Sequence, residues 1–388
     1  MTVTVSDPLA TARSLSGLIV SEAERTESEG TLSPAVVEAF RKTGLFGLLI
    51  PAELGGAEAD AVTTLAVFEE LSRADASTGW TLLANTTTSG FAGAFCGDAA
   101  VEAMFGAARP PVHAGMLGPR GRARPVNGGY EVSGSYSFGS GSAHADWIGA
   151  GTMVMAGDAP VMTPSGLPEM RVAFLPRDAV RFLGNWDVLG LVGTGSYDYA
   201  VDDVFVADDF TFPLVGARLR RGGPVYRLGV LGLTSIGHCG FALGVGRRAL
   251  EEIARAAPAK VRMSSLTPVA DDPLFRHDFS FQEAALQGAR AYAFEVFGRA
   301  MGVAGKGQEP DAELAQRLRQ ATTYATRVAA DVVRSAYGWL GTDGIRPGVL
   351  QRCLRDMETA SQHIFVDGST FTAAAPVLLE SYTGAAGT

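Results

Sequence analysis

Apolar positions along the chain fall into three successive patterns. Up to about residue 109 they recur at helical spacing, with Val36, Val37, Phe40 and Leu45 on one stripe and Leu65, Phe68 and Leu71 on another within 63–73. Leu32-Ser33-Pro34 offers a helix start with proline in the first turn, and residues 50–56 break the run. Asp75 or Ser77 is placed to cap a third helix rich in small residues. From about residue 112 the spacing shortens to alternation. Asn127-Gly128-Gly129 ahead of the alternating stretch 130–136 predicts a tight hairpin, and β-like runs follow at 147–155, 171–175 and 199–206. After a linker at 218–224, helical stripes return at 236–256 and 281–301. Leu314, Leu318, Ala321, Ala325, Val328 and Val332 then alternate steps of four and three, as on a bundle helix. The pattern predicts an α+β protein, mostly α. A helical domain covers 1–111, a small β-barrel or sandwich covers 112–222, and a helical bundle covers 223–388.

Composition narrows what such a fold does. The chain has 388 residues, 47% hydrophobic and 19% charged, which suits two or three packed units and excludes a disordered chain. A net charge of −9 argues against a nucleic-acid partner, because phosphate binding wants an excess of Lys and Arg on one face. Cys96, Cys239 and Cys353 are widely spaced and suggest neither a disulfide framework nor a zinc ribbon. The N-terminus lacks a signal-peptide pattern, and no stretch reads as the roughly 20 apolar residues of a membrane helix. The expectation is a cytoplasmic protein with no membrane partner. Neither a P-loop, a G-x-G-x-x-G after a strand, nor a G-x-S-x-G elbow occurs. The five histidines, His113, His144, His238, His277 and His363, show no metal-ligand spacing, so no metal is expected.

Four segments then carry a resemblance. Residues 44–56 read GLFGLLIPAELGG, residues 129–147 read GYEVSGSYSFGSGSAHADW, residues 186–198 read WDVLGLVGTGSYD, and residues 351–366 read QRCLRDMETASQHIFV. Together they resemble the acyl-CoA dehydrogenase superfamily over nearly the whole chain. The phrase S-F-x-S-G-x-x-H-A-D-W and the terminal Q-R-x-x-R-D…H are similar to its flavin-dependent monooxygenase branch with the monooxygenase-type C-terminal domain. The resemblance implies that superfamily's fold: N-terminal helices, a small β-barrel and a C-terminal four-helix bundle.

It also implies roles. Ser140 is placed by the resemblance close to flavin N5, where a hydroxyl suits a protonated nitrogen; as a bare residue it is a strand-end turn serine. His363 falls where the branch has a histidine near the flavin C4a edge and the substrate, although a lone histidine is more often structural. Asn85 stands where several relatives carry a catalytic histidine after S-T-x-W, here Ser77-Thr78-Gly79-Trp80. Ser142, the loop at Gly115 and Met116, and Arg352 complete the implied cofactor contacts. Trp186 lies either beside the isoalloxazine ring or in the β-domain core. Arg262 and the turn at Gly341 are implied at the flavin phosphate, across a subunit interface; Arg262 reads equally as an exposed loop residue.

Three readings stay open. The first is a two-component monooxygenase. It takes reduced FMN or FAD from a separate NAD(P)H-dependent reductase, forms a C4a-hydroperoxide and oxygenates a small, aromatic substrate as a homotetramer. The second is an oxidase or dehydrogenase with tightly bound FAD and Asp367 as base. The third is a non-catalytic scaffold of the same fold, favoured by the departures at Val192, Asn85 and Met116.

Overall fold

The computed structural model describes residues 5, 7–107, 109–263 and 265–384. Five helices come first: α1 (Pro8–Glu29), α2 (Pro34–Thr43), α3 (Ala61–Ala74), α4 (Ala76–Phe95) and α5 (Asp98–Phe105). Their starts follow local chemistry. Ser33 caps α2 with Pro34 at its first position, and the buried Asp75 caps α4, accepting from both the backbone N–H and the hydroxyl of Thr78 at 2.8 Å. Of the two caps offered by sequence, Asp75 is the one used. Helix α4 is buried along nearly its whole length, which its Ala, Gly, Ser and Thr content allows.

The strands are β1 (His113–Val126), β2 (Gly129–Gly139), β3 (Trp147–Ala156), β4 (Ala159–Pro160), β5 (Met170–Pro176), β6 (Arg181–Phe182), β7 (Tyr197–Ala207) and β8 (Thr211–Pro213). They form one sheet in the order β6-β7-β2-β1-β3-β5-β8, with β4 on β3. The hairpin at Asn127-Gly128 joins β1 to β2 with Val126 opposite Gly129, and Gly128 takes φ 80°, a left-handed conformation that favours glycine. Pairing of β1 with β3 is parallel; the others are antiparallel. The sheet curls enough for Tyr199 of β7 to reach across it. Its hydroxyl donates to Gly149 O at 2.6 Å and accepts from Met116 N at 2.7 Å.

Long helices close the chain: α6 (Gly229–Ala256), α7 (Pro273–Ala304), α8 (Ala312–Leu340), α9 (Val349–Ala360) and α10 (Ser369–Thr383). Helix α7 begins eight residues before the expected 281, because Asp272 caps it and Pro273 fits its first turn. A second correction concerns hydropathy. The span Pro224–Ala256 is long and apolar enough to cross a membrane, contrary to expectation, but 78% of its most apolar window is buried inside the protein. That apolarity serves packing. A Cβ on Gly244 of α6 would lie 2.3 Å from Glu69 O, so α6 and α3 touch backbone to backbone.

Helix α9 returns to α1. Arg355 on α9 pairs with Glu27 on α1, and Arg352 pairs with Glu27 at 3.4 Å and with Asp75 at 3.7 Å. Asp356 Oδ1 accepts from Leu191 N at 2.6 Å, tying α9 to the segment before β7. Burial pushes the Asp356 carboxyl up to about 7.

Candidate active site

Ser140 sits just beyond β2, where Phe138 takes the left-handed φ 67° and Ser140 N donates back to Phe138 O at 2.9 Å. Its side chain belongs to a relay of hydroxyls. Trp80 Nε1 donates to Ser140 Oγ at 3.1 Å, Ser140 Oγ meets Ser196 Oγ at 2.7 Å, and Ser196 Oγ meets Thr194 Oγ1 at 2.7 Å. Thr194 Oγ1 lies 2.7 Å from Leu191 O. A carbonyl only accepts, so Thr194 must donate to it, Ser196 must donate to Thr194, and Ser140 must donate to Ser196. Ser140 therefore has its proton committed inward and, after accepting from Trp80, keeps one lone pair for the cleft. It is half-buried, so that lone pair is reachable.

Beside the relay stands an aromatic wall. The Trp80 ring lies 5.0 Å from His238, 5.0 Å from Phe241 and 5.8 Å from His363, each edge-on. His238 and His363 are 4.4 Å apart, and Phe365 stacks on His238 at 5.5 Å. His363 Nδ1 accepts the Phe365 N–H at 3.2 Å, so the neutral ring carries its proton on Nε2. Burial lowers the His363 pKa to about 4, although the ring keeps accessible surface, as expected of a group lining a narrow cleft. His238 is held well below its usual range, first by burial and then by His363. Phe138, 60% exposed, and Trp186 meet edge-on at 6.2 Å, leaving an apolar strip next to Ser140.

A supporting layer holds this loop from below. Asn85 is fully buried: Nδ2 donates to His113 O at 2.8 Å and Oδ1 accepts from His144 Nε2 at 3.1 Å. A Cβ on Gly141, at φ 72°, would fall 2.6 Å from the Asn85 amide. The structure thus puts Asn85 beneath the Ser140 loop, with both ends of its amide engaged. Ser142, also buried, donates to Gly195 O at 3.4 Å. Burial brings His113 down to about 3 and His144 to about 4.

The other candidates scatter. Gly115, at φ 127°, lies against the Gly149 backbone, and Met116 N is held by Tyr199. Trp186 Nε1 donates to Leu191 O at 3.2 Å, the same carbonyl that ends the relay. Arg262 stacks over Trp339 at 4.2 Å, and Gly341, at φ 59°, sits on an exposed turn after α8. Arg352 is committed to Glu27 and Asp75. Asp367 is exposed, accepts from Ser369 N at 2.8 Å, and is held below the usual carboxylate range by that contact. Those are surroundings opposite to what a base in a dry pocket needs. Sequence reasoning gave no role to Thr194, Ser196, the Trp80 N–H or His238, although the first three stand in phrases that carry the resemblance.

Four depressed histidines link folding to pH. Each is neutral when folded and protonates near 6.5 when unfolded, so this stability is complete above about pH 6.5 and is lost as pH falls toward the folded values. The buried carboxyls of Asp75 and Asp356, both pushed up by burial, act oppositely, but as two protons against four. The melting temperature is expected to drop steadily between about pH 6.5 and 4; a flat Tm across that window would show that the histidines are solvated.

Comparison with known proteins meets this geometry. The acyl-CoA dehydrogenase N-terminal domain profile matches residues 11–102, and the acyl-CoA dehydrogenase C-terminal domain profile matches 236–368. Indole-3-acetate monooxygenase of Pseudomonas putida is 32% identical over 344 residues, 88% of this chain and 85% of that one. The oxygenase component of FADH2-dependent resorcinol hydroxylase from Rhizobium sp. is 25% identical, over 89% of this chain and 87% of its own. The crystal structure of 3-HSA hydroxylase from Rhodococcus sp. RHA1 superposes with a TM-score of 0.88, covering 97% of both chains at 23% identity. With both terminal domains matched and full-length relatives of this kind, the chain belongs to the acyl-CoA dehydrogenase superfamily, among its flavin-dependent monooxygenases.

Proposed function

We propose that this chain is the oxygenase component of a two-component system, taking reduced FMN or FAD from a separate NAD(P)H-dependent reductase and oxygenating a small aromatic substrate with O2. The observation that carries the reading is the polarity of the relay. Ser140 presents a lone pair, and reduced flavin presents an N–H at its central ring, whereas oxidised flavin presents another lone pair there. The apolar strip of Phe138 and Trp186 suits a flat ring. When bound, reduced flavin would supply the two electrons that activate O2, one atom of which goes to the substrate while the other leaves as water.

The chain's own groups do the rest. Ser140 holds the ring N–H, the neutral His363 offers its Nε2 proton, and Trp80, Phe241 and Phe365 exclude water. Ser142 and Asn85 keep the loop in place. Gly115 and Met116 offer backbone at the ring edge, and Arg262 and Gly341 serve the phosphate of a flavin bound mainly by a neighbouring subunit. Arg352 acts at a distance by bracing Asp75 and Glu27.

A homotetramer fits the exposure of Met263, Leu266, Leu274, Phe281 and Ile345 around the start of α7 and the turn after α8. Sedimentation as a monomer would remove that assignment together with Arg262. A cytoplasmic setting would supply the reductase and its NAD(P)H. The direct test is anaerobic titration, in which reduced flavin is expected to bind about tenfold or more tightly than oxidised flavin, the worth of one hydrogen bond gained against one repulsion. Equal or reversed affinities would sink the two-component reading.

A further inference from the structure

Arg319 on α8 has an unusual position among the described residues. It forms neither a hydrogen bond nor an ion pair, and its Nε is buried without a partner. The other arginines that lack both contacts have no such buried nitrogen. A guanidinium with a desolvated nitrogen and no counter-ion is costly, and the cost falls when an anion arrives. One turn to either side, Gln316 Oε1 and Thr323 Oγ1 are buried and equally without partners. Positions 316, 319 and 323 share one face of the helix.

That face looks onto the site. The Arg319 guanidinium lies 5.7 Å from the Phe365 ring, Phe365 stacks on His238, and His238 packs on His363. The path from the cation to Ser140 is therefore paved with flat rings and ends at the relay. The aromatic surface suits an aromatic ring, and the cation at its far end suits an acid carried on that ring. A guanidinium matches a carboxylate with two parallel hydrogen bonds, which a lysine does not reproduce.

We propose that the substrate is an aromatic acid whose carboxylate is bound by Arg319 while its ring lies along Phe365, His238 and His363. The proposal rests on the oxygenase reading above and names the substrate class for that site. The test compares one ring with and without its acid. Indole-3-acetate and indole are titrated against the whole oligomer loaded with reduced FAD under anaerobic conditions, reading bound ligand by equilibrium dialysis.

Wild type is expected to favour the acid. Arg319→Gln is expected to weaken the acid about 10- to 100-fold, leave indole within about twofold, and erase the preference, with Arg319→Lys recovering part of it. Equal weakening of both ligands, loss of reduced-FAD affinity, or dissociation of the oligomer would each overturn the proposal, the last two by giving Arg319 to the cofactor or to a neighbouring subunit. Aerobic turnover separates the two levels. Oxygenation of indole without any preference for the acid overturns the Arg319 assignment and leaves the oxygenase reading standing. An Arg319-dependent preference without oxygenation of either ligand does the reverse.

Discussion

Replacing His363 with alanine is expected to lower product formation by about two to four orders of magnitude while oxygen uptake continues and ends as hydrogen peroxide. The reasoning starts from the tautomer. Nδ1 is occupied by the Phe365 N–H, so the ring has one proton to offer, on Nε2, and a pKa of about 4 keeps it a neutral donor at working pH. Removing the ring takes away that donor and opens the packing against Trp80 and His238. Flavin binding should survive, because the relay at Ser140 is untouched. Asp367→Ala supplies the contrast: an exposed carboxylate that caps a turn should cost less than about twofold in rate, the scale of an ordinary surface substitution. An inactive Asp367 variant beside an active His363 variant would return the dehydrogenase chemistry to the front.

Ser140→Ala is expected to cost about 10²- to 10³-fold in coupled turnover, as for loss of one preorganised hydrogen bond in a water-poor site. It should also flatten the preference for reduced over oxidised flavin. The relay allows a sharper version. Thr194→Val removes the hydroxyl that fixes the direction of the chain, so Ser196 becomes free to donate toward Ser140, and Ser140 becomes free to donate outward. Ser140 remains in place, yet the selectivity for reduced flavin should fall toward unity. A Thr194→Val protein with unchanged selectivity would show that Ser140 does not take its polarity from the relay.

Much of this molecule was legible where the signal is local. Ser33-Pro34, the Asn127-Gly128 hairpin and the stripe from Leu314 to Val332 each encode their element within a few residues, and each element is present. Local signals also compete: Asp272-Pro273 starts α7, whereas the apolar stripe predicts a start at Phe281, which is 64% exposed and faces away from the core. The site itself was half legible. Ser140 and His363 stand in recognisable phrases, and the structure brings both to the Trp80 ring. Ser196 lies 56 residues from Ser140, and His238 lies within an apolar helix whose periodicity gives no hint that His363 packs on it. Arg319 was hidden for a related reason. Its helix was read for the stripe that faces the core, whereas the cation stands off that stripe and finds its neighbour in Phe365.

The meeting of α1 with α9 sets the order of events during synthesis. Arg352 and Arg355 reach Glu27 across 325 and 328 residues, and the wall holding His363 and Phe365 follows directly after them. Contacts so distant in sequence form late, after the loops between them have closed. A ribosome-bound chain therefore exposes Ser140 and Trp80 long before it owns His363. The wall that completes the pocket is thus supplied by a segment that emerges well after the strand and loop that carry Ser140.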